Sequence, residues 1–219
     1  LHTLIQNRKA LAAASNASVL TLDAGDWSEG NIFFTADEGR SMLDILTSMG
    51  VDATCVGNHD FIAGVDSVLR VLSHFPGRLP VLAANLNYSG FNRGPELQQE
   101  LPPYQIFNFN RLKVAVIGVT TYEFTYASYI APVVITDPVP VLTTLAQNLH
   151  RQGVQSIVLL SHNSIDYNKR LAQQIPWVTA VVSGHSHVKT PSPEFVNNAG
   201  RKVPVVETGE WGQFLGELQ

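Results

Sequence analysis

The apolar positions of this chain switch repeatedly between two periods, and each switch marks an element. Leu1, Leu4, Ile5, Leu11 and Ala12 recur at helical spacing and predict a helix over residues 1–14. Residues 19–22 then form a short apolar run of the kind a buried strand carries. Met42, Leu43, Ile45, Leu46 and Met49 return to the helical period over 37–49, where Gly50 supplies a C-cap. The exchange repeats with a strand over 53–56, a helix over 65–75 closed by Pro76 and Gly77, and a strand over 81–84. Residues 85–103, rich in Asn, Gly and Pro, predict an irregular connection. Two antiparallel strands are expected over 104–109 and 113–119. After a loop-like stretch at 120–137, Pro138 opens a helix that runs to 151; a proline in the first turn loses no hydrogen bond. A strand at 156–160, a helix at 165–175 and a strand at 178–182 follow. The tail, 194–218, alternates turns such as 198–200 with short strands such as 203–206.

This alternation predicts an α/β fold with mixed sheets in one domain. Four of the predicted strands end in polar turns, which carry Asp26, Asn58, His162, and His185 with His187. In open α/β sheets the carboxyl ends of strands lie along one edge, where ligands bind. Turns far apart in sequence are therefore expected to converge.

Composition narrows the function classes. A chain of 219 residues, 45% of them hydrophobic, suffices for one sizeable core and is marginal for two. A net charge of -4 offers no basic face, so no nucleic-acid partner is expected. No apolar run approaches the roughly 20 residues needed to span a bilayer. The lone Cys55 leaves no internal disulfide and reads as a small buried hydrophobe. The chain opens on Leu1 inside a helical pattern and stops at Gln219 in an apolar stretch. We therefore expect a piece of a longer protein.

The convergent turns bring together one carboxylate (Asp26), one amide (Asn58) and three imidazoles (His162, His185, His187). In extended backbone His185 and His187 would share a face and could serve one metal or two adjacent ones. Mixed nitrogen and oxygen donors suit Zn, Mn, Fe or Co. Two divalent ions about 4 Å apart repel by roughly 17 kcal/mol at an effective dielectric of about 20, so an anion must sit between them. Asp26, with a bridging hydroxide, is the natural candidate, and such a hydroxide can attack phosphorus in line. His59, next to Asn58, is placed to stabilise phosphoryl oxygens or protonate the leaving oxygen.

Taken in order, these blocks resemble the calcineurin-like metallophosphoesterases, in particular their 5'-nucleotidase branch. The matching text is Leu22-Asp23-Ala24-Gly25-Asp26, Met49 to Ala53 leading into Gly57-Asn58-His59-Asp60-Phe61, Leu160-Ser161-His162, and Ser183-Gly184-His185-Ser186-His187. The tail Glu207-Thr208-Gly209-Glu210-Trp211-Gly212 resembles the end of that family's catalytic domain. The resemblance implies a four-layer α/β/β/α sandwich with two mixed sheets and two divalent metal ions bridged by Asp26. Asn58, His162 and His185 would complete one site, and His187 would belong to the other. His59 would be the catalytic histidine, with Asp60 a neighbouring carboxylate. The implied substrate is a small phosphate ester, a nucleotide above all. A separate C-terminal domain that holds the nucleoside is absent here, so residues 1–219 would be the catalytic domain alone. The implied location is periplasmic or at the cell surface.

The sequence departs from the pattern at three points. The family's first block, Asp-x-His on an initial strand, is missing, so only one metal site is fully supplied. Ile62 stands where the nucleotidase branch carries an Asp that pairs with the catalytic histidine, and Ser164 replaces a Gly. Two alternatives follow: a non-catalytic metal-binding scaffold, or a hydrolase of sulfur esters. Of the other polar residues, Asp23 reads as structural, and His2, His74 and His150 as surface residues. Trp27 reads either as a wall of the site or as packing under its loop. Tyr122, Phe124, Tyr126 and Tyr129 read as packing within the 120–137 loop.

Overall fold

Strands whose side chains are buried on both faces need a layer on either side, and the apolar runs of this chain are of that kind. The computed structural model describes residues 1–219 apart from Asn31, Pro76, Arg111, Phe124 and Thr125. Pro76 of the expected turn and Phe124 of the aromatic group thus lie outside the described residues. The chain runs α1 (His2–Ala14), β1 (Leu22–Asp23), α2 (Ile32–Asp37), α3 (Arg40–Met49), β2 (Ala53–Cys55) and a short 3-10 helix (His59–Phe61). Next come α4 (Val65–Ser73), β3 (Val81–Leu82), β4 (Leu86–Asn87), α5 (Gly94–Glu100), β5 (Tyr104–Phe109) and β6 (Leu112–Val119). Then follow α6 (Ala127–Ile130), β7 (Val134–Ile135), α7 (Pro138–Arg151), β8 (Ser156–Ser161), α8 (Ile165–Gln174), β9 (Val178–Ser183), β10 (Glu194–Asn198) and β11 (Arg201–Glu207).

Among the described residues β1, β2 and β3 form a parallel sheet. A larger sheet has the order β10-β11-β9-β8-β6-β5, parallel at its centre and antiparallel at both edges. β4 and β7 pair as a separate antiparallel ribbon. Only the larger sheet is therefore mixed. The hairpin pairings expected from the pattern sit at its edges, and the smaller sheet keeps crossover connections throughout.

The period-2 rule assigns the layers. Ile157 and Leu159 of β8 pack with Leu142, Ala146 and Leu149 of α7 and Leu171 of α8. The alternate residues Val158 and Leu160 pack with Ala53, Cys55 and Leu82 of the smaller sheet. The far face of that sheet meets Leu43 and Leu46 of α3, Val68, Leu69, Val71 and Leu72 of α4, and Leu97 of α5. The stack is thus helices, sheet, sheet, helices. Gly118 of β6 sits where the sheets touch, since a Cβ there would stand 2.4 Å from the Leu82 carbonyl oxygen.

Three expectations need correction. The helix over 37–49 is broken by Glu38 and Gly39, both in the left-handed region (φ 59 and 93), so α2 and α3 are separate. The connection 85–103 holds β4 and α5; Pro95, one of the prolines that made the stretch read as irregular, lies in the first turn of α5 and starts it. The loop at 120–137 likewise holds α6 and β7. Cys55 is fully buried on β2, and His2, His74 and His150 are exposed. Among the described residues no helix is long and apolar enough to cross a membrane.

The parallel registers bring the relevant strand ends together. Asp23 of β1 pairs with Thr54 of β2, and Ser161 of β8 pairs with Ser183 of β9. The turns that follow these four strands carry Asp26, Asn58, His162 and His185.

Candidate active site

The loop after β1 is held from below and from the side. Asp23 Oδ1 accepts the Gly25 amide at 3.1 Å and the Thr54 hydroxyl at 2.8 Å, the structural role expected of it. Asp26 has φ 60, a left-handed conformation that costs a non-glycine residue about 1–3 kcal/mol and needs surrounding support. Asp60 provides it. Its buried carboxylate accepts the amides of Gly57 at 2.8 Å, Ser28 at 2.9 Å and Asp26 at 3.1 Å. Burial, then the Asp26 charge, push the Asp60 carboxyl up to about 7, against the pull of those amides. Asp60 is therefore a clamp between the first two loops. Expected from the sequence as a carboxylate of the chemistry, it has both oxygens engaged by backbone amides here. Trp27 is buried in the core beside α3 and α4, which decides for packing over a wall.

Asp26 and His162 form the centre. His162 Nδ1 lies 2.6 Å from the Ala24 carbonyl oxygen, which accepts its proton and turns Nε2 toward Asp26. Nε2 is 2.9 Å from Asp26 Oδ2, off the line of a hydrogen bond, and buried without an aligned partner. Burial opposes charge on both groups, yet their mutual attraction holds Asp26 below and His162 above the ordinary values. The Asp26 Oδ1 atom accepts the His59 amide at 2.9 Å.

Asn58 and His185 border that pair. His185 Nδ1 lies 3.0 Å from Asn58 Oδ1, and the rings of His185 and His162 meet edge-on with centroids 5.3 Å apart. Asn58 is buried, and its Nδ2 has no hydrogen-bond partner among the described residues. Burial, then the His162 charge, keep His185 below its ordinary value.

His187 is not brought to the same point. His185 and His187 both have positive φ (82 and 58), not the extended backbone expected, so they do not share a face. His187 Nδ1 pairs with Glu210 Oε2 at 2.5 Å, and its ring meets Trp211. The turn carrying both histidines is anchored by Glu207, which accepts the Ser183 hydroxyl at 2.9 Å and the Val188 amide at 3.1 Å. Burial raises the Glu207 carboxyl above its ordinary value.

Four glutamates went without a site role in the sequence reading, although Glu207 and Glu210 stand in its tail block. Glu29 pairs with His59, Glu123 with His185 Nε2 at 3.1 Å, Glu210 with His187, and Glu207 holds the turn beneath. Glu207 carried a further signal, as a charged residue ending a predicted strand like the other polar turns. Ser164, at φ -54, opens α8 without needing a glycine conformation.

The donors fit one divalent cation by chemistry: a carboxylate, an amide oxygen and two imidazoles, one with a buried nitrogen lacking an aligned partner. They do not complete a second site. Among the described residues no group of three or more His, Cys, Asp or Glu side chains is arranged to hold a metal ion as it stands, so Asp26, His162 and His185 would have to draw together around one.

The sequence and the fold both match known proteins. A snake venom 5'-nucleotidase of Gloydius brevicauda is 33% identical over 221 residues, which cover 94% of this chain and 37% of that protein. The chain thus spans well under half the length of that relative. The solved 5'-nucleotidase precursor of Thermus thermophilus superposes with a TM-score of 0.83 at 28% identity, covering 97% of this chain and 43% of the other. A sulfate thiohydrolase from the same organism shares the fold, with a TM-score of 0.79 at 23% identity over 95% of this chain and 37% of the other. The family model described as calcineurin-like phosphoesterase matches residues 1–189. With that match over most of its length, the chain belongs to the calcineurin-like phosphoesterase family.

Proposed function

We propose that residues 1–219 are the catalytic domain of a metal-dependent phosphoric-ester hydrolase acting on nucleotide 5'-phosphates. The observation that carries this reading is the Asp26 carboxylate 2.9 Å from His162 Nε2, a buried nitrogen with no aligned hydrogen-bond partner. Asp26, Asn58, His162 and His185 would hold one divalent ion, of the Zn, Mn, Fe or Co class by their mixed donors. Asp26 and His187 would begin a second site, which needs ligands from elsewhere in the whole protein and a turn of His187 away from Glu210. Bound there, the ions would supply Lewis acidity and a hydroxide nucleophile.

The chain's own residues do the rest. The Ala24 carbonyl fixes the His162 tautomer, and Asp60 holds the Asp26 loop against the Asn58 loop. His59, whose amide is tied to Asp26 Oδ1, offers its ring to the phosphoryl oxygens or the leaving oxygen. The nucleotide substrate is supported by the 5'-nucleotidase relatives. A further domain for the nucleoside is supported by the 37% of the venom relative that the chain spans. A periplasmic or cell-surface location belongs to the same proposal, and the venom origin of that relative favours it.

The test is phosphate release from a 5'-mononucleotide by the full-length protein, with and without added Mn or Zn. Metal-dependent turnover is expected, abolished by Asp26→Asn or His162→Ala. Absence of turnover with one metal or none bound would favour the scaffold reading, to which the His187 to Glu210 pair and Ile62 point. Sulfate release without phosphate release would favour a sulfur-ester hydrolase.

A further inference from the structure

Among the described residues His59 has one carboxylate partner, and it comes from another loop. The Glu29 carboxylate is hydrogen-bonded to His59 Nδ1. The other acidic groups nearby are already engaged. Asp60 spends both oxygens on backbone amides, and the Asp26 oxygens face the His59 amide and His162. Position 62 follows the 3-10 turn His59–Phe61, its amide bonded to the His59 carbonyl at 3.2 Å. Side chains three apart on such a turn share a face. Ile62 thus lies where a partner for the ring could sit, and its side chain has no acceptor.

The backbone before Glu29 is fixed independently of the ion pair. Ser28 is buried, gives its amide to Asp60 at 2.9 Å and its hydroxyl to the His59 carbonyl at 3.3 Å. The two segments are stitched together one residue away from the contact. Both side chains of the pair are partly exposed, so the contact adds little to folding stability. Its effect is on the ring: an acceptor at Nδ1 fixes the tautomer and the plane of the imidazole, and leaves Nε2 as the working nitrogen.

We propose that Glu29 is the positioning residue for His59 in this chain, holding Nδ1–H and the ring plane so that Nε2 is the nitrogen that takes up a proton from solvent and presents it to the phosphate ester, in place of an acid at position 62. This rests on the hydrolase reading for its catalytic consequence, while the pairing itself does not.

The experiment compares the full-length protein with Glu29→Ala and with Glu29→Ala/Ile62→Asp, by steady-state kinetics on a 5'-mononucleotide. A second readout is nitrogen NMR of the His59 ring in histidine-labelled protein without added metal. Glu29→Ala is expected to lower kcat roughly 10- to 100-fold, part of what a general acid supplies, with KM and bound metal little changed. The second substitution is expected to recover part of that loss. The His59 ring should change from the Nδ1-protonated pattern to the Nε2-protonated pattern in Glu29→Ala. An unchanged kcat in an active enzyme overturns the proposal, and so does a fall in kcat with unchanged ring-nitrogen shifts. If the parent protein has no turnover the hydrolase reading fails on its own, and the ring-nitrogen comparison still decides the pairing.

Discussion

Gly57 leaves the space that the Asp26 carboxylate fills: a Cβ at position 57 would stand 2.1 Å from Asp26 Oδ1 and 2.9 Å from the Asp26 amide. The glycine is needed here for closeness of approach, not for a left-handed backbone. Gly57→Ala must push the carboxylate away from His162. We expect a stability loss of about 1–3 kcal/mol from overpacking, read from urea midpoints. A displacement of about 1 Å at the centre should lower kcat/KM about 100-fold in protein that is still folded. Full activity in Gly57→Ala would mean that the position of Asp26 does not matter.

Glu207 holds the turn in which His185 and His187 adopt positive φ. Glu207→Ala removes both acceptor oxygens and leaves the Ser183 hydroxyl and the Val188 amide without them. Each hydrogen bond lost at this buried position should cost about 1–3 kcal/mol. Zn affinity, measured by competition with a chromogenic chelator, should fall roughly 10- to 100-fold as the His185 turn relaxes. Unchanged affinity would show that the turn holds its shape without the glutamate.

Asp60 tests the difference between a clamp and a reacting group. Asp60→Asn sets an NH2 against backbone donors, and should destabilise by roughly 1.5–3 kcal/mol. If Asp60 acts only by holding the Asp26 loop, excess metal restores turnover in the folded variant by mass action. A rate that stays low at saturating metal would return Asp60 to the chemistry.

The sequence made the layers legible because burial on both faces leaves uninterrupted apolar runs, as in residues 156–160 and 178–182. Pro95 hid α5, since a proline starts a helix as readily as it ends one, and Glu38 with Gly39 hid the break between α2 and α3. Asp26, Asn58, His162 and His185 were legible as polar residues at strand ends. The glutamates that orient the histidines were not. Each reaches its histidine through tertiary approach between loops, and no local period encodes that. The same holds for His187, whose direction is set by a left-handed turn that the spacing does not reveal.

The central claim is that the turns after β1, β2, β8 and β9 enclose a metal ion. The most direct measurement is an anomalous-difference map from crystals of the full-length protein soaked in Zn. The account predicts a peak about 2.0–2.2 Å from an Asp26 carboxylate oxygen, Asn58 Oδ1 and His162 Nε2, with a His185 nitrogen completing the set. A peak elsewhere, or none at saturating Zn with Asp26 and His162 still in contact, would contradict it.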